Sequence, residues 1–258
     1  MSLLSRIFGR AAPAPAAVPD GVRVYAIGDI HGRDDLFEQL LAMIASDHAS
    51  RPAADPIIIL LGDLVDRGPD SRAVVERAIR LVDQWPDVRM LMGNHEELFL
   101  DSIRGDTAVM RFFVRIGGVS TIHSYGIAGA EYDAMDFAEL ATALAARVPA
   151  THVRFLSDGL DQICVGDYLF VHAGIKPGTA LAAQAPADMR WIREEFLRDR
   201  RDHGKIIVHG HTITDGVDEQ VNRIGIDTGA YDSGVLTAIV LERTERRYLA
   251  TGPGQPNP

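Results

Sequence analysis

The sequence is poor in cysteine and contains no long apolar run. Cys164 is the only cysteine among the 258 residues, which excludes an internal disulfide framework and a zinc site built from cysteines. A single thiol of this kind is typical of an ordinary strand residue, and it fits a reducing compartment. No apolar stretch approaches the roughly 18–20 residues that a membrane-spanning helix requires. We therefore expect a cytoplasmic protein without stable membrane insertion.

The sequence also lacks an excess of positive charge and any internal repeat. It contains 26 Lys and Arg against 36 Asp and Glu, a formal net charge of -10. Because general nucleic-acid binding relies on a basic surface that neutralises phosphates, we expect no nucleic-acid partner. Any phosphate group that this chain binds must be held by a few residues at one site, because the overall charge is negative.

Length and composition predict one large domain. With 47% hydrophobic and 24% charged residues, the chain matches a globular α/β domain of about 200–250 residues. We expect this domain over residues 21–252, flexible tails over 1–20 and 253–258, and a helical insertion or cap over 98–154. The mixture of apolar and basic residues over 1–10 leaves open a weak membrane-surface or partner helix.

Buried strands alternate with amphipathic helices in the first half of the chain. Val22–Ile27 and residues 57–61 and 88–92 have the composition of buried strands, and each run precedes a glycine. Apolar residues recur with helical spacing between these runs. This alternation predicts a βαβαβ core with a parallel sheet, in which ligands bind beyond the carboxyl ends of the strands.

The second half predicts a second, mixed sheet. Its expected strands are Gln162–Val165, Tyr168–Val171 and residues 206–208, 223–226, 235–241 and 247–250. Gly166-Asp167, between the first two, is a two-residue hairpin signal. The fold class is therefore mixed α/β.

Polar motifs follow the predicted strands. They are Gly28-Asp29-Ile30-His31-Gly32, Gly62-Asp63-Leu64-Val65-Asp66-Arg67-Gly68 and Gly93-Asn94-His95-Glu96, with His172 and His211 after two later apolar runs. Each motif has an ordinary structural alternative, such as an Asp66–Arg67 ion pair or a satisfied lone histidine. Their repeated placement at strand ends instead indicates a shared site.

The candidate ligands indicate a metal centre. Oxygen and nitrogen donors without a thiolate suit manganese, iron or zinc better than copper. Seven candidates exceed what one ion binds, and a carboxylate shared between two ions is a recurring device in phosphatases. We expect two divalent ions, manganese first, with iron or zinc as alternatives.

These ordered motifs resemble the calcineurin-like metallophosphoesterases, and within them the phosphoprotein phosphatases of the bacterial and phage serine/threonine type. The motifs of the resemblance, completed by His172-Ala173-Gly174 and Gly210-His211-Thr212, span most of the chain. The resemblance implies a four-layer αββα sandwich and a metal-activated hydroxide that attacks phosphorus in line.

The resemblance also implies roles residue by residue. Asp29 and His31 would bind one metal, Asp63 would bridge, and Asn94, His172 and His211 would bind the second. His95 corresponds to the general acid and Asp66 to the carboxylate that orients it, while Arg67 and Arg193 look like phosphate-binding arginines. Asp227 is treated as a supporting residue and His209 as structural, although some relatives use a histidine at that position as a ligand.

Asp66 and Glu96 favour a phosphoprotein or phosphopeptide substrate, because symmetrical dinucleoside polyphosphate hydrolases commonly lack the first acid and carry aspartate for the second. Met92, which replaces a basic residue of many protein phosphatases, weakens this interpretation. The alternatives are a dinucleoside polyphosphate hydrolase, such as a diadenosine tetraphosphate hydrolase, a small-molecule phosphatase and a non-catalytic metal-binding module.

Overall fold

The computed structural model describes residues 15–252. The membrane-surface helix considered for residues 1–10 and the tail expected over 253–258 lie outside this range. The strands of the described residues are β1 (Val22–Ile27), β2 (Asp55–Leu60), β3 (Val88–Met90), β4 (Gln162–Val165), β5 (Tyr168–Val171), β6 (Ile206–His209), β7 (Asp218–Glu219), β8 (Arg223–Gly225), β9 (Thr237–Glu242) and β10 (Glu245–Ala250).

The helices fall into a pair between the first strands, a central group and short elements near the C-terminus. They are α1 (Asp34–Ala49), α2 (Ser71–Gln84), α3 (Asn94–Ser102), α4 (Thr107–Phe113), α5 (Val119–Ser124), α6 (Ala130–Asp133), α7 (Phe137–Arg147), α8 (Ala150–Ser157), α9 (Pro186–Trp191), α10 (Glu194–Leu197) and α11 (Ala230–Ser233). Among these described elements, none is long and apolar enough to cross a membrane.

Two five-stranded sheets form the centre of the fold. The first has the order β10-β9-β1-β2-β3 and the second the order β4-β5-β6-β8-β7. In the first sheet β1 pairs in parallel with β2, and β2 with β3. In the second, β5, β6 and β8 are parallel. The parallel core predicted from the sequence is confirmed.

Alternate residues of β1 face opposite layers, as the two-residue period of a strand requires. Tyr25 and Ile27 pack in the cluster that contains Phe37 of α1, whereas Val24 and Ala26 pack between the sheets with Phe170 of β5. The outer face of the second sheet packs against the short helices α9 and α10 through Met189 and Phe196. The result is the four-layer αββα sandwich that the family resemblance implied.

The C-terminal hairpin corrects one expectation. Segments 235–241 and 247–250 were expected in the second sheet, but β9 pairs antiparallel with β1, and β10 pairs with β9. Strand β9 is buried on both faces, with Val240 toward the helices and Ile239 between the sheets. Apolar character identifies such a strand, but it carries no information on which sheet supplies the neighbour.

Part of the segment expected as an N-terminal tail contacts the domain. The Val18 N–H donates to the Arg243 carbonyl at 2.9 Å, and the Asp167 N–H donates to the Ala17 carbonyl at 2.9 Å. The Val18 side chain is buried between the sheets. Residues 17 and 18 thus pack on the hairpin turns of both sheets.

Candidate active site

The predicted motif residues meet at one edge of the sandwich. Asp29 and His31 follow β1, Asp63, Asp66 and Arg67 follow β2, Asn94 and His95 open α3 after β3, and His172 and His211 follow β5 and β6. The carboxyl ends of parallel strands in both sheets point to this edge, so short turns place all of these side chains together.

Asp63 lies at the centre of two potential ligand groups. One is formed by His31, Asp63 and His95 and the other by Asp63, His172 and His211, with the donor atoms of each group within 4.8 Å of one another. The His31 Nε2 atom lies 3.5 Å from Asp63 Oδ2, and His172 Nε2 lies 3.4 Å from Asp63 Oδ1. One carboxylate oxygen therefore faces each group.

The second group converges on a point that a cation would occupy. His172 Nε2 lies 3.0 Å from Asn94 Oδ1 and 3.2 Å from His211 Nδ1. The other His172 nitrogen, Nδ1, lies 2.8 Å from the Leu61 carbonyl. That contact fixes Nδ1 as the protonated nitrogen in the neutral ring and leaves the Nε2 lone pair free to coordinate.

Asp29 borders the same centre. Its Oδ2 atom accepts the His211 backbone N–H at 3.0 Å. Burial, followed by the neighbouring carboxylates of Asp227 and Asp63, raises the pKa of Asp29. Burial would lower the pKa of His172, but Asp63 and Asp29 outweigh it and raise that pKa to about 10. The edge is thus a buried concentration of negative charge, which attracts cations.

The residues fit divalent cations on chemical grounds. Asp29 Oδ1 and His31 Nε2 are buried polar atoms without a hydrogen-bond partner in residues 15–252. Burying such atoms without a partner is costly, whereas a metal ion satisfies each of them. The donor set of carboxylate, amide and imidazole suits a hard or borderline ion.

Glu96, which the sequence analysis used only as a substrate discriminator, holds the turn that carries Asp63. Its carboxylate accepts the backbone N–H groups of Asp63 and Leu64, both at 2.7 Å, and that of Gly93 at 3.1 Å. Asp63 has φ 51°, in the left-handed region that is unfavourable for residues with a side chain. These hydrogen bonds stabilise the conformation that brings the Asp63 carboxylate into the site.

His95 pairs with Asp66. The His95 Nδ1 atom lies 2.6 Å from Asp66 Oδ2, and both residues are buried. Burial lowers the pKa of His95, but the carboxylates of Asp63 and Asp66 outweigh it and raise the net value. An Asp66–Arg67 ion pair, the structural alternative for this motif, is absent from the ion pairs of the described residues.

The two predicted arginines differ in depth. Arg67 is half-buried, with Nη2 3.1 Å from His95 Nε2 and its guanidinium carbon 4.9 Å from the centre of the Tyr231 ring. Arg193 is exposed at the start of α10. Burial lowers the pKa of His211, and the charges of His172 and Arg193 contribute in the same direction. Arg67 therefore contacts the cluster directly through His95, whereas Arg193 lies at the exposed rim, at the N-cap of α10.

His209 lies apart from these ligand groups. Its ring packs edge-on against Phe196, with centroids 5.2 Å apart, and its Nδ1 lies 3.0 Å from the Gly210 carbonyl. This position under α10 agrees with the structural role expected for His209.

Three further residues border the site, and two of them, Tyr231 and Thr121, were not predicted as part of it. Tyr231 meets the His31 ring edge-on at 5.6 Å, and Thr121 bonds Asp66. Asp227, expected only as a support, has a buried Oδ2 without a partner in the described chain. These three positions lie outside the glycine-containing motifs that identified the other site residues.

The fold and this cluster define a metallophosphoesterase. The family model for calcineurin-like phosphoesterases matches residues 22–235, so the chain belongs to that family and is a metal-binding hydrolase.

Curated relatives share a single description. A symmetrical bis(5'-nucleosyl)-tetraphosphatase from Acidovorax sp. (strain JS42) is 51% identical over 73 residues, which cover 28% of this chain and 23% of the relative. A protein of the same description from Nitrosospira multiformis is 30% identical over 200 residues, covering 73% of this chain and 60% of the relative. The matched part thus spans about a quarter of the first relative and less than two thirds of the second.

Solved structures share the fold. One described as a proposed diadenosine tetraphosphatase superposes with a TM-score of 0.63 at 22% identity, covering 93% of this chain and 100% of that chain. A serine/threonine phosphatase from Saccharomyces cerevisiae gives a TM-score of 0.51 at 15% identity, with coverage of 94% and 85%. Both types of phosphatase therefore have this architecture.

Proposed function

We propose that this chain hydrolyses dinucleoside polyphosphates, with diadenosine tetraphosphate as the representative substrate. The observation that carries this proposal is the description of the curated relatives, which name a symmetrical bis(5'-nucleosyl)-tetraphosphatase both for the short match and for the match over 200 residues. It reverses the order of substrates expected from Asp66 and Glu96. The phosphoprotein substrate becomes the second candidate.

Six residues would hold two divalent ions. Following the resemblance, Asp29, His31 and Asp63 are assigned to one ion and Asp63, Asn94, His172 and His211 to the other. The two groups of potential ligands share Asp63. His95, which belongs to the first group, is kept as the proton donor because its Nδ1 is held by Asp66. Bound ions of this kind lower the pKa of a water molecule and neutralise phosphoryl oxygens. Manganese is the proposed metal, and iron and zinc have the same donor preferences.

His95 is assigned as the proton donor and Asp66 as its positioning residue. In the His95–Asp66 pair, Nδ1 is held by the carboxylate at 2.6 Å, so Nε2 is the atom left to deliver a proton to the departing oxygen. His95 Nε2 now faces Arg67 Nη2 at 3.1 Å, an arrangement in which Nε2 accepts. A phosphate that attracts the Arg67 guanidinium would free Nε2 for protonation.

The depths of the arginines support a polyphosphate chain. Arg67 lies half-buried next to His95, whereas Arg193 is exposed at the N-cap of α10. Guanidinium groups bind phosphate oxygens through paired N–H donors. Two such groups at the base and the rim suit a row of phosphates that extends out of the site, of which only one is attacked.

The second candidate is a serine/threonine phosphoprotein phosphatase. The short His95–Asp66 contact favours it, because an alkoxide from serine is a poor leaving group that requires a proton. A nucleoside diphosphate leaves as a stabilised anion and requires less help. The substrate comparison is therefore decisive.

The test is turnover of diadenosine tetraphosphate and of a phosphoserine peptide by the same manganese-loaded protein, with products separated by chromatography. We expect faster cleavage of the nucleotide, and ADP as its single product. Asp63→Asn should abolish both activities while the far-ultraviolet circular dichroism stays unchanged. Faster release of phosphate from the peptide would replace the proposal with the second candidate.

A further inference from the structure

Helix α5 of the central group contacts the His95–Asp66 pair directly. Thr121, on α5, is buried and its Oγ1 lies 2.6 Å from Asp66 Oδ1. The same hydroxyl oxygen lies 2.9 Å from the Asp66 backbone nitrogen. Asp66 Oδ2 contacts His95. One oxygen of the Asp66 carboxylate therefore binds α5 and the other binds the assigned proton donor.

The direction of these hydrogen bonds follows from counting protons. A carboxylate only accepts, so the single Thr121 hydroxyl proton goes to Asp66 Oδ1. The hydroxyl oxygen then accepts from the Asp66 N–H and from the Ser71 hydroxyl, which is 2.9 Å away. Thr121 thus fixes the rotation of the Asp66 carboxyl group and leaves Oδ2 aimed at the His95 ring.

The backbone around this carboxylate needs such support. Asp66 has φ 74° and Arg67 has φ 67°, and residues with side chains are unfavourable in this left-handed region. The Arg67 N–H donates to the Gly117 carbonyl at 3.1 Å, just before α5. The segment that contains Gly117 and Thr121 therefore stabilises the unfavourable backbone of both Asp66 and Arg67.

Gly117 makes the close approach possible. Its φ of 123° suits glycine alone, and a Cβ atom there would lie 2.8 Å from Arg67 Cγ. The helical insertion over 98–154, whose role the sequence left open, thus contacts both the residue that orients the acid and a phosphate-binding arginine.

We propose that Thr121 is a positioning residue for the proton donor, acting through Asp66 on His95. The proposal rests on the assignment of His95 as acid within the proposed function. The proposal gives the helical insertion a part in catalysis, because the Thr121 hydroxyl of α5 orients the Asp66 carboxylate, which in turn orients His95. Arg67 receives its support separately, through the Gly117 carbonyl.

The first test uses leaving groups of different acidity. Manganese-loaded Thr121→Val, which keeps the shape but removes the hydroxyl, is compared with wild type on phenyl, p-nitrophenyl and 2,4-dinitrophenyl phosphate. We expect kcat for phenyl phosphate to fall about tenfold or more, kcat for the dinitrophenyl ester to change by less than about threefold, and KM to stay constant. Thr121→Ser should restore kcat. Thr142→Val, the same change at an exposed threonine of α7 whose hydroxyl bonds the Ala138 carbonyl, should leave kcat unchanged.

The second test is independent of turnover and therefore separates this inference from the proposed function. The proton between His95 Nδ1 and Asp66 is observed by nuclear magnetic resonance in the metal-free protein and is assigned by its loss in His95→Asn. We expect Thr121→Val to shift or broaden this resonance and Thr121→Ser to retain it. An unchanged resonance in Thr121→Val, or an equal fall in kcat on all three esters, would overturn the proposal.

Discussion

The indole Nε1–H of Trp191 donates to Glu97 Oε2 at 2.7 Å and joins the end of α9 to the first turns of α3. Arg190 Nη1 contacts the other oxygen of Glu97 at 2.6 Å, and Arg190 Nη2 contacts Asp161 at 2.6 Å. Arg193 follows this network by two residues, and Asn94 and His95 precede Glu97. The network therefore joins the segment that precedes Arg193 to the helix that begins with Asn94 and His95.

Removal of the Glu97 carboxylate should weaken substrate binding more than catalysis. Hydrogen bonds to charged groups contribute about 1.5–3 kcal/mol, so Glu97→Ala should raise KM about tenfold, with kcat within about threefold of wild type. Steady-state kinetics on diadenosine tetraphosphate measure both constants. Asp101→Ala serves as control, because its partner Arg104 lies outside the network. A fall in kcat alone would contradict the role given to this network.

Two neighbouring histidines should differ in metal binding. His211 lies in the second ligand group, whereas His209 packs against Phe196. We expect His211→Asn to reduce the bound manganese from two ions per chain to one, and His209→Asn to retain two. Elemental analysis after equilibrium dialysis measures this stoichiometry. Loss of metal in His209→Asn with unchanged circular dichroism would make His209 a ligand.

A methyl group at Gly93 should disrupt the site. A Cβ atom there would lie 2.5 Å from both the Asp63 nitrogen and Glu96 Oε2, so the Asp63 turn must move. Overpacking of this kind costs about 1–3 kcal/mol. Gly93→Ala should therefore lower the melting temperature and abolish binding of the second manganese ion, as differential scanning calorimetry and dialysis would show. Gly216→Ala is the matched control, because a Cβ there meets no atom within 4 Å.

The sequence predicted the ligand cluster because its residues follow strands that end at one edge. Asp29, Asp63 and His172 could be found from their positions after apolar runs, without knowledge of any contact. Thr121 could not, because a single hydroxyl within a helical pattern is indistinguishable from a surface residue until the tertiary fold brings it to Asp66, 55 positions earlier.

The sheet assignment of β9 failed for a related reason. Partner choice depends on the free edge of β1, which lies more than 200 residues earlier in the chain.

Asp47 should support stability in a way that is lost in acid. Burial alone would raise the pKa of this carboxyl, but hydrogen bonds from Arg247, Arg51 and Tyr25 outweigh it and lower the pKa to about 2. Because the folded pKa lies below the unfolded value of about 3.9, the contribution is complete above that value and disappears as the pH falls toward 2. Partial exposure of both arginines reduces it to about 1–2 kcal/mol.

Asp47→Asn should therefore be less stable than wild type by about 1–2 kcal/mol at pH 6, with the difference closing between about pH 4 and pH 2. Urea unfolding of the chelator-treated protein at several pH values measures this. The ligand cluster titrates in both proteins alike, so its contribution cancels in the difference between them. Asp101→Asn, whose partner Arg104 is exposed, should follow the wild-type curve. The same difference at pH 6 and pH 2 would show that Asp47 contributes through packing, because a charge effect vanishes once the carboxyl is protonated in both states.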